Sequence, residues 1–285
     1  MNSSRLGFHC HNLDHLDVAI GSNNLHRGEF YNLPVESLPR LKEEIRKRKL
    51  LLSIHAPLVR IPWYPTPPTL SFLCDVNEER RQLSLRMVQE TMAVAEEFGA
   101  EYVVVHFPVP SSTDGHDVGY VRSRDIAWDS AARLAEMSRR HSIAIHMEGF
   151  GPSPLLSVEF LTKVIGCFPG LRYCFDIGHM NIAARRDGFD LYAFAEQLAP
   201  CIGSVHLWNN RGLNDYMDFG HIPVHPTQKP DDGWVDVARI LRLILSSNSS
   251  CCVIFESGLR YPVALGGHDL RDGVKWVSDL VAGLS

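Results

Sequence analysis

No stretch of the chain holds about 18 consecutive apolar residues, which excludes an expected membrane-spanning helix. The opening MNSSRLGFHCHNLDH has neither the basic segment nor the apolar core of a secretory leader. Cys-x-x-Cys spacing is absent too, and the seven cysteines are an odd number, so reduced thiols in a cytoplasmic protein are expected rather than a disulfide framework. Excess positive charge is lacking: 28 Lys and Arg against 33 Asp and Glu leave a net charge of −5. A protein that coats nucleic acid needs clustered cations to neutralise phosphates, so nucleic acid is not the favoured partner. The densest basic run, RLKEEIRKRK (40–49), is interleaved with Glu and reads as a solvated helix face. Neither GxGxxG nor a P-loop is found, which removes the commonest nucleotide-binding sites. No composition break or internal repeat divides the chain, so residues 1–285 are read as one domain.

What the chain has in quantity is histidine, fourteen in all, set in an alternation of short apolar runs and amphipathic segments. Eight runs read as strands: RLGFHC (5–10), GEFYN (28–32), LLSIHA (51–56), YVVVHF (102–107), IAIHMEG (143–149), RYCFDIG (172–178), GSVHLW (203–208) and CVIFES (252–257). The second is the least regular, being short and carrying Glu29. Between them lie helical patterns, the clearest at 77–99, with Asn77 as a cap and Gly99 at its end. Eight strands alternating with about eight helices predict an α/β protein with a closed (β/α)8 barrel; an open doubly wound sheet is the second choice. Long irregular loops follow the third and seventh strands, on the face where barrels of this kind keep their active sites.

Strands buried on both faces should end apolar, yet six of these end in ionisable residues. They supply His55, His106, Glu148, Asp176 with His179, His206 and Glu256. Gathering carboxylates and imidazoles in a buried place is costly without a cation. A divalent metal site is therefore expected where the strand ends converge. Glu148, Asp176, His206 and Glu256 form an oxygen-rich set suited to Mn²⁺, Mg²⁺, Co²⁺ or Zn²⁺. His55, His106, His179 and His221 shift the expectation toward zinc or manganese and toward more than one ion, one to three per chain. In DIGH, Asp176 is the primary ligand, and His179 is a second-site ligand or a substrate contact. His146 reads as a deeper structural residue, His9 as pocket floor, and His26, His116, His141 and His268 as surface or loop residues. His221 and His225 lie in HIPVHP, the former as a ligand and the latter as a substrate contact. Trp63, Tyr64 and Trp208 are placed near the mouth as aromatics able to stack on a substrate ring, with lid packing as the plainer alternative.

The motifs SIHAP, EFGAEYVVVHFP, HMEGFG, CFDIGHMNIA, SVHLWNN and VIFESG resemble, in order and spacing, the xylose isomerase-like TIM-barrel superfamily of sugar isomerases, epimerases and endonuclease IV-like proteins. In the isomerase and epimerase branch, the resemblance implies one metal on Glu148, Asp176, His206 and Glu256, with the two glutamates as acid/base groups. In the endonuclease IV branch, it implies further ligands at His55, His106, His179 and His221. One departure is plain: the Asp-x-His of that branch is here Phe219-Gly220-His221, with Asp218 one residue too early.

Three functions follow. The first is a divalent-metal-dependent isomerase or epimerase of a small sugar or sugar-like substrate, working through a metal-stabilised enediolate with Glu148 and Glu256 as acid and base and His179 near the substrate. The alternative is an endonuclease IV-like multi-metal phosphoester hydrolase acting on abasic-site DNA or a smaller ester. The third is a barrel that binds a metal or sugar without chemistry. No membrane partner is expected, and self-association is left open.

Overall fold

A computed structural model describes residues 3–65, 67–109, 120–151 and 153–284; His116 lies outside them. Eight strands close into a barrel in sequence order: β1 (Leu6–Cys10), β2 (Arg27–Phe30), β3 (Leu51–His55), β4 (Tyr102–His106), β5 (Ala144–Glu148), β6 (Leu171–Asp176), β7 (Ile202–Leu207) and β8 (Cys252–Phe255). The helices are α1 (Leu38–Arg48), α2 (Glu78–Phe98), α3 (Tyr120–His141), α4 (Val158–Cys167), α5 (Ile177–Asp187), α6 (Leu191–Leu198), α7 (Leu213–Phe219), α8 (Val237–Ser247) and α9 (Leu270–Ala282). This is the (β/α)8 barrel expected from the alternation. The β1–β2 connection has no α-helix, only a short 3-10 turn at Leu13–His15 and a π-turn at Asp17–Gly21. Among the described residues no helix is long and apolar enough to cross a membrane.

Contacts divide the chain into two compact units. One holds the residues up to Glu29, Arg48–Leu51 and Phe175 onward; the other holds Phe30–Lys47 and Leu52–Cys174. In the first, β8 pairs in parallel with β1 and β7, and Phe8 stacks on Phe255 with ring centroids 6.0 Å apart. Helix α8 packs against α6 and α9 and buries Val237, Ile240, Leu241, Ile244 and Leu245. Their i, i+3, i+4, i+7, i+8 spacing is one helix face, and each such side chain contributes about 1.5–3 kcal/mol on burial. In the second unit β3, β4, β5 and β6 pair in parallel. Asn77 caps α2 by accepting N–H bonds from Glu79 and Arg80, and Gly99 ends it in the left-handed region at φ 68°.

Two expectations need correction. Strand β6 stops at Asp176 instead of running to 178, because the Asp176 carboxylate accepts the His179 N–H and turns the chain directly into α5. The loop after β7 is not wholly irregular, since Leu213–Phe219 form α7.

All seven cysteines are free thiols, and only Cys167 is exposed. Burial pushes the Cys10 thiol up to about 12, with the Glu29 carboxylate adding to it, and burial likewise raises Cys74 to about 12. At pH 8 such thiols are about 0.01% thiolate, the reactive form. In the native protein a chromogenic disulfide should therefore modify Cys167 first and partly exposed Cys201 more slowly. Cys10 and Cys74 should react only on unfolding; rapid labelling of Cys10 would contradict the packing of β1.

Candidate metal centre

Strand register explains why the polar strand ends face one way. His206 pairs with Ile254, so Glu256 lies two residues beyond it. His55 pairs with Val104, two before His106, and His106 pairs with Glu148. Strand side chains alternate faces with a period of two, so within each unit these even offsets keep the groups on one face.

In the first unit, donor atoms of Asp176, His206 and Glu256 all lie within 4.8 Å of one another. Asp176 and His206 are fully buried, and the Glu256 side chain is 16% exposed. Asp176 accepts two bonds, from the His179 backbone N–H at 2.6 Å and from the Trp208 indole N–H at 2.9 Å. His206 has a carboxylate oxygen at each nitrogen: Glu256 Oε2 at 2.7 Å from Nδ1 and Glu29 Oε1 at 2.8 Å from Nε2. His9 Nδ1 stands 3.6 Å from Glu29 Oε1 and 3.9 Å from Glu256 Oε1. Burial opposes ionisation of Glu29, but the His206 and His9 imidazoles outweigh it and hold the carboxyl well below the usual range. His221 donates from Nδ1 to the Glu256 carbonyl at 2.8 Å, which leaves the lone pair on Nε2. It stacks on Trp208 at 4.1 Å and meets His179 edge-on at 5.3 Å.

The second unit gathers His55, His106 and Glu148, again with donor atoms within 4.8 Å. His106 donates from Nδ1 to the Thr69 carbonyl at 2.6 Å, and Nδ1 of His55 lies 3.4 Å from the Ala56 carbonyl. Both Nε2 atoms face one oxygen, Glu148 Oε2, at 3.3 and 3.4 Å, and His55 Nε2 is within hydrogen-bond distance of it. Two imidazoles and a carboxylate gathered in a buried place are costly unless a cation offsets the burial. In His106 the other ring nitrogen is held by a backbone carbonyl, as a histidine able to hold a metal requires. The donor sets of both units thus fit a divalent ion.

The three aromatics are packed against protein groups. Trp208 is in the interior, fully buried, and its ring is used by Asp176 and His221. Trp63 packs under the Arg86 guanidinium of α2 at 4.2 Å, and the Tyr64 hydroxyl shares a hydrogen bond with Ser84 of α2 at 2.6 Å. His225 is buried, stacked on His268 at 4.0 Å and bonded through Nδ1 to Thr227. His146 is buried against Tyr102. Asp218 is exposed on α7, whereas Asp215 in the same helix is spent on Arg211. Two features escaped the sequence. Glu29 is a fully buried partner of His206; the signal was an acidic residue inside an apolar strand. Buried Asn181 and Asn210 bond each other, and Asn210 donates to the Gly178 carbonyl, tying α5 to the segment after β7.

A family model described as the xylose isomerase-like TIM barrel matches residues 11–280. The chain belongs to that family. Solved structures of like fold include a D-tagatose 3-epimerase-like protein, 19% identical, covering 98% of each chain at a TM-score of 0.70. The 3-keto-D-glucoside 4-epimerase of E. coli is 15% identical, covering 96% of this chain and 99% of its own, at 0.67. The IolI protein, solved with a bound zinc atom, is 14% identical over 99% of each chain at 0.70. At these identities the likeness is one of fold. No curated protein matches the sequence.

Within this xylose isomerase-like barrel, Gly178 is where the Trp208 indole crosses α5, and a Cβ there would overlap its ring. Gly178→Ala should destabilise the protein by about 1–3 kcal/mol through overpacking. Urea unfolding followed by tryptophan fluorescence measures this, and an unchanged midpoint would contradict the contact.

Proposed function

We propose that this protein is a divalent-metal-dependent isomerase or epimerase of a small sugar or sugar-like substrate, acting as a single barrel domain over residues 1–285. The observation that carries the reading is the meeting of Asp176, His206 and Glu256 at the ends of three successive strands. Glu148 would complete the set. These four residues would hold the ion, zinc or manganese by their chemistry. When bound, it supplies Lewis-acid stabilisation of the charge that develops on a substrate oxygen.

The remaining steps belong to the chain. One of Glu148 and Glu256 takes the proton from the carbon beside the substrate carbonyl, leaving an enediolate, and the other returns a proton. Glu148 is almost fully buried, which strengthens its interaction with a developing charge, while the partly exposed Glu256 can exchange its proton with water. His179 and His221, edge to face, would contact substrate hydroxyls, and Trp208 and the His179 N–H would keep Asp176 in place. Seven free thiols suit a reducing compartment.

One observation favours a second reading. The His55–His106–Glu148 cluster is a donor set of its own, as a multi-metal, endonuclease IV-like phosphoester hydrolase would need. Against it stands Phe219, where that branch carries aspartate.

Metal content per chain and solvent-proton exchange at a ketose carbon in deuterated water separate the two. The isomerase reading expects exchange that needs the ion. Glu256→Gln should lower it by about 10²–10⁴-fold while the protein stays folded. Replacing His55 and His106 together by Ala should remove at most about one ion and leave exchange in place. Absence of exchange with any ketose, together with metal-dependent cleavage of a phosphodiester, would replace the first reading by the second.

A further inference from the structure

Glu29 has no part in the ligand set above, yet it is a fully buried acid that faces His206. Its side chain is fully buried on β2, and Oε1 lies 2.8 Å from His206 Nε2. On the opposite edge of the same ring, Nδ1 faces Glu256 Oε2 at 2.7 Å. A neutral imidazole has one N–H and one lone pair, so it can donate to one of these carboxylates only. The two sides are not equivalent. The Glu256 side opens onto Asp176, with all three donors inside 4.8 Å, whereas no cluster of metal-competent donors among the described residues includes Glu29.

We infer that Glu29 is a positioning residue that accepts the Nε2–H of His206 and so commits the Nδ1 lone pair to the ion held with Asp176 and Glu256. The inference rests on the metal reading above. A buried carboxylate behind a ligating imidazole does two things: it fixes ring orientation and tautomer, and it raises the basicity of the nitrogen that binds. Both effects act through the ring and need no contact between Glu29 and the ion. The placement on β2 also matters. His206 is held from one side by its own strand and the neighbouring β8, and Glu29 supplies the stop on the far side, with His9 3.6 Å from the same oxygen. Gln at this position keeps the shape and loses the charge. Its amide NH₂ is also able to donate to Nε2, which would send the ring proton to Nδ1 and turn the lone pair away from Asp176 and Glu256.

Two measurements test this on the full chain. In the zinc-loaded wild type, long-range proton–nitrogen correlation of the imidazoles should place the His206 ring proton on Nε2; a proton on Nδ1 overturns the inference. Zinc affinity, measured by competition with a chromophoric chelator, should fall about 10–100-fold in Glu29→Gln. Thermal unfolding of the metal-free forms establishes that the variant is folded. A folded variant that binds zinc within about fivefold of wild type refutes the positioning role, since a purely structural residue would alter the unfolding midpoint and leave affinity in place. If Glu29→Gln does not fold, the wild-type ring spectrum decides alone. A wild type that binds no divalent ion removes the metal reading itself and the role of Glu29 with it, an outcome distinct from a wild type that binds and a variant that binds equally.

Discussion

The carboxylate of Asp176 is the point on which this end of the molecule depends. It ends β6, caps α5 through the His179 N–H, and accepts the Trp208 indole N–H, all while fully buried. Those two donors leave acceptor capacity on both oxygens, so the group is oriented without being used up. The arrangement propagates outward. The indole reaches Asp176 only because Gly178 has no side chain, and the other face of that indole supports His221. A backbone turn, a glycine and a buried tryptophan are thereby tied to one ionisable group, and this is the kind of supporting structure that keeps a functional carboxylate in one geometry.

Histidine tautomers extend the same logic. His106 and His221 both give their Nδ1 protons to backbone carbonyls, which can only accept, and His55 has a carbonyl near the same atom. For His106 and His221 the main chain thereby orients the ring. His206 differs in meeting carboxylates on both edges. Carboxylates and imidazoles buried this close together are costly, and a fold tolerates that cost where a cation offsets it. The physical cost of these clusters, rather than the mere count of histidines, is the argument for metal.

Much of this was open to inspection in the linear chain. Eight apolar runs alternating with amphipathic segments specify the barrel, because periods of two and of 3.6 are local properties of sequence. An ionisable residue at the end of an apolar run, as at His55, Glu148, Asp176 or Glu256, is equally visible, since burial makes it anomalous where it stands. The helix that begins at Ile177 and the short α7 were less visible: the one is started by a side-chain cap, the other is seven residues long and has little apolar periodicity. Which polar atom meets which was not visible at all. Glu29 counted against a strand in the sequence and proved to be the buried partner of His206, while Trp208, expected near the mouth, is fully buried. Those assignments depend on strand register, on the empty space above one glycine, and on which edge of an imidazole faces which carboxylate. They are through-space relations between residues far apart in the chain, so only the tertiary structure could decide them.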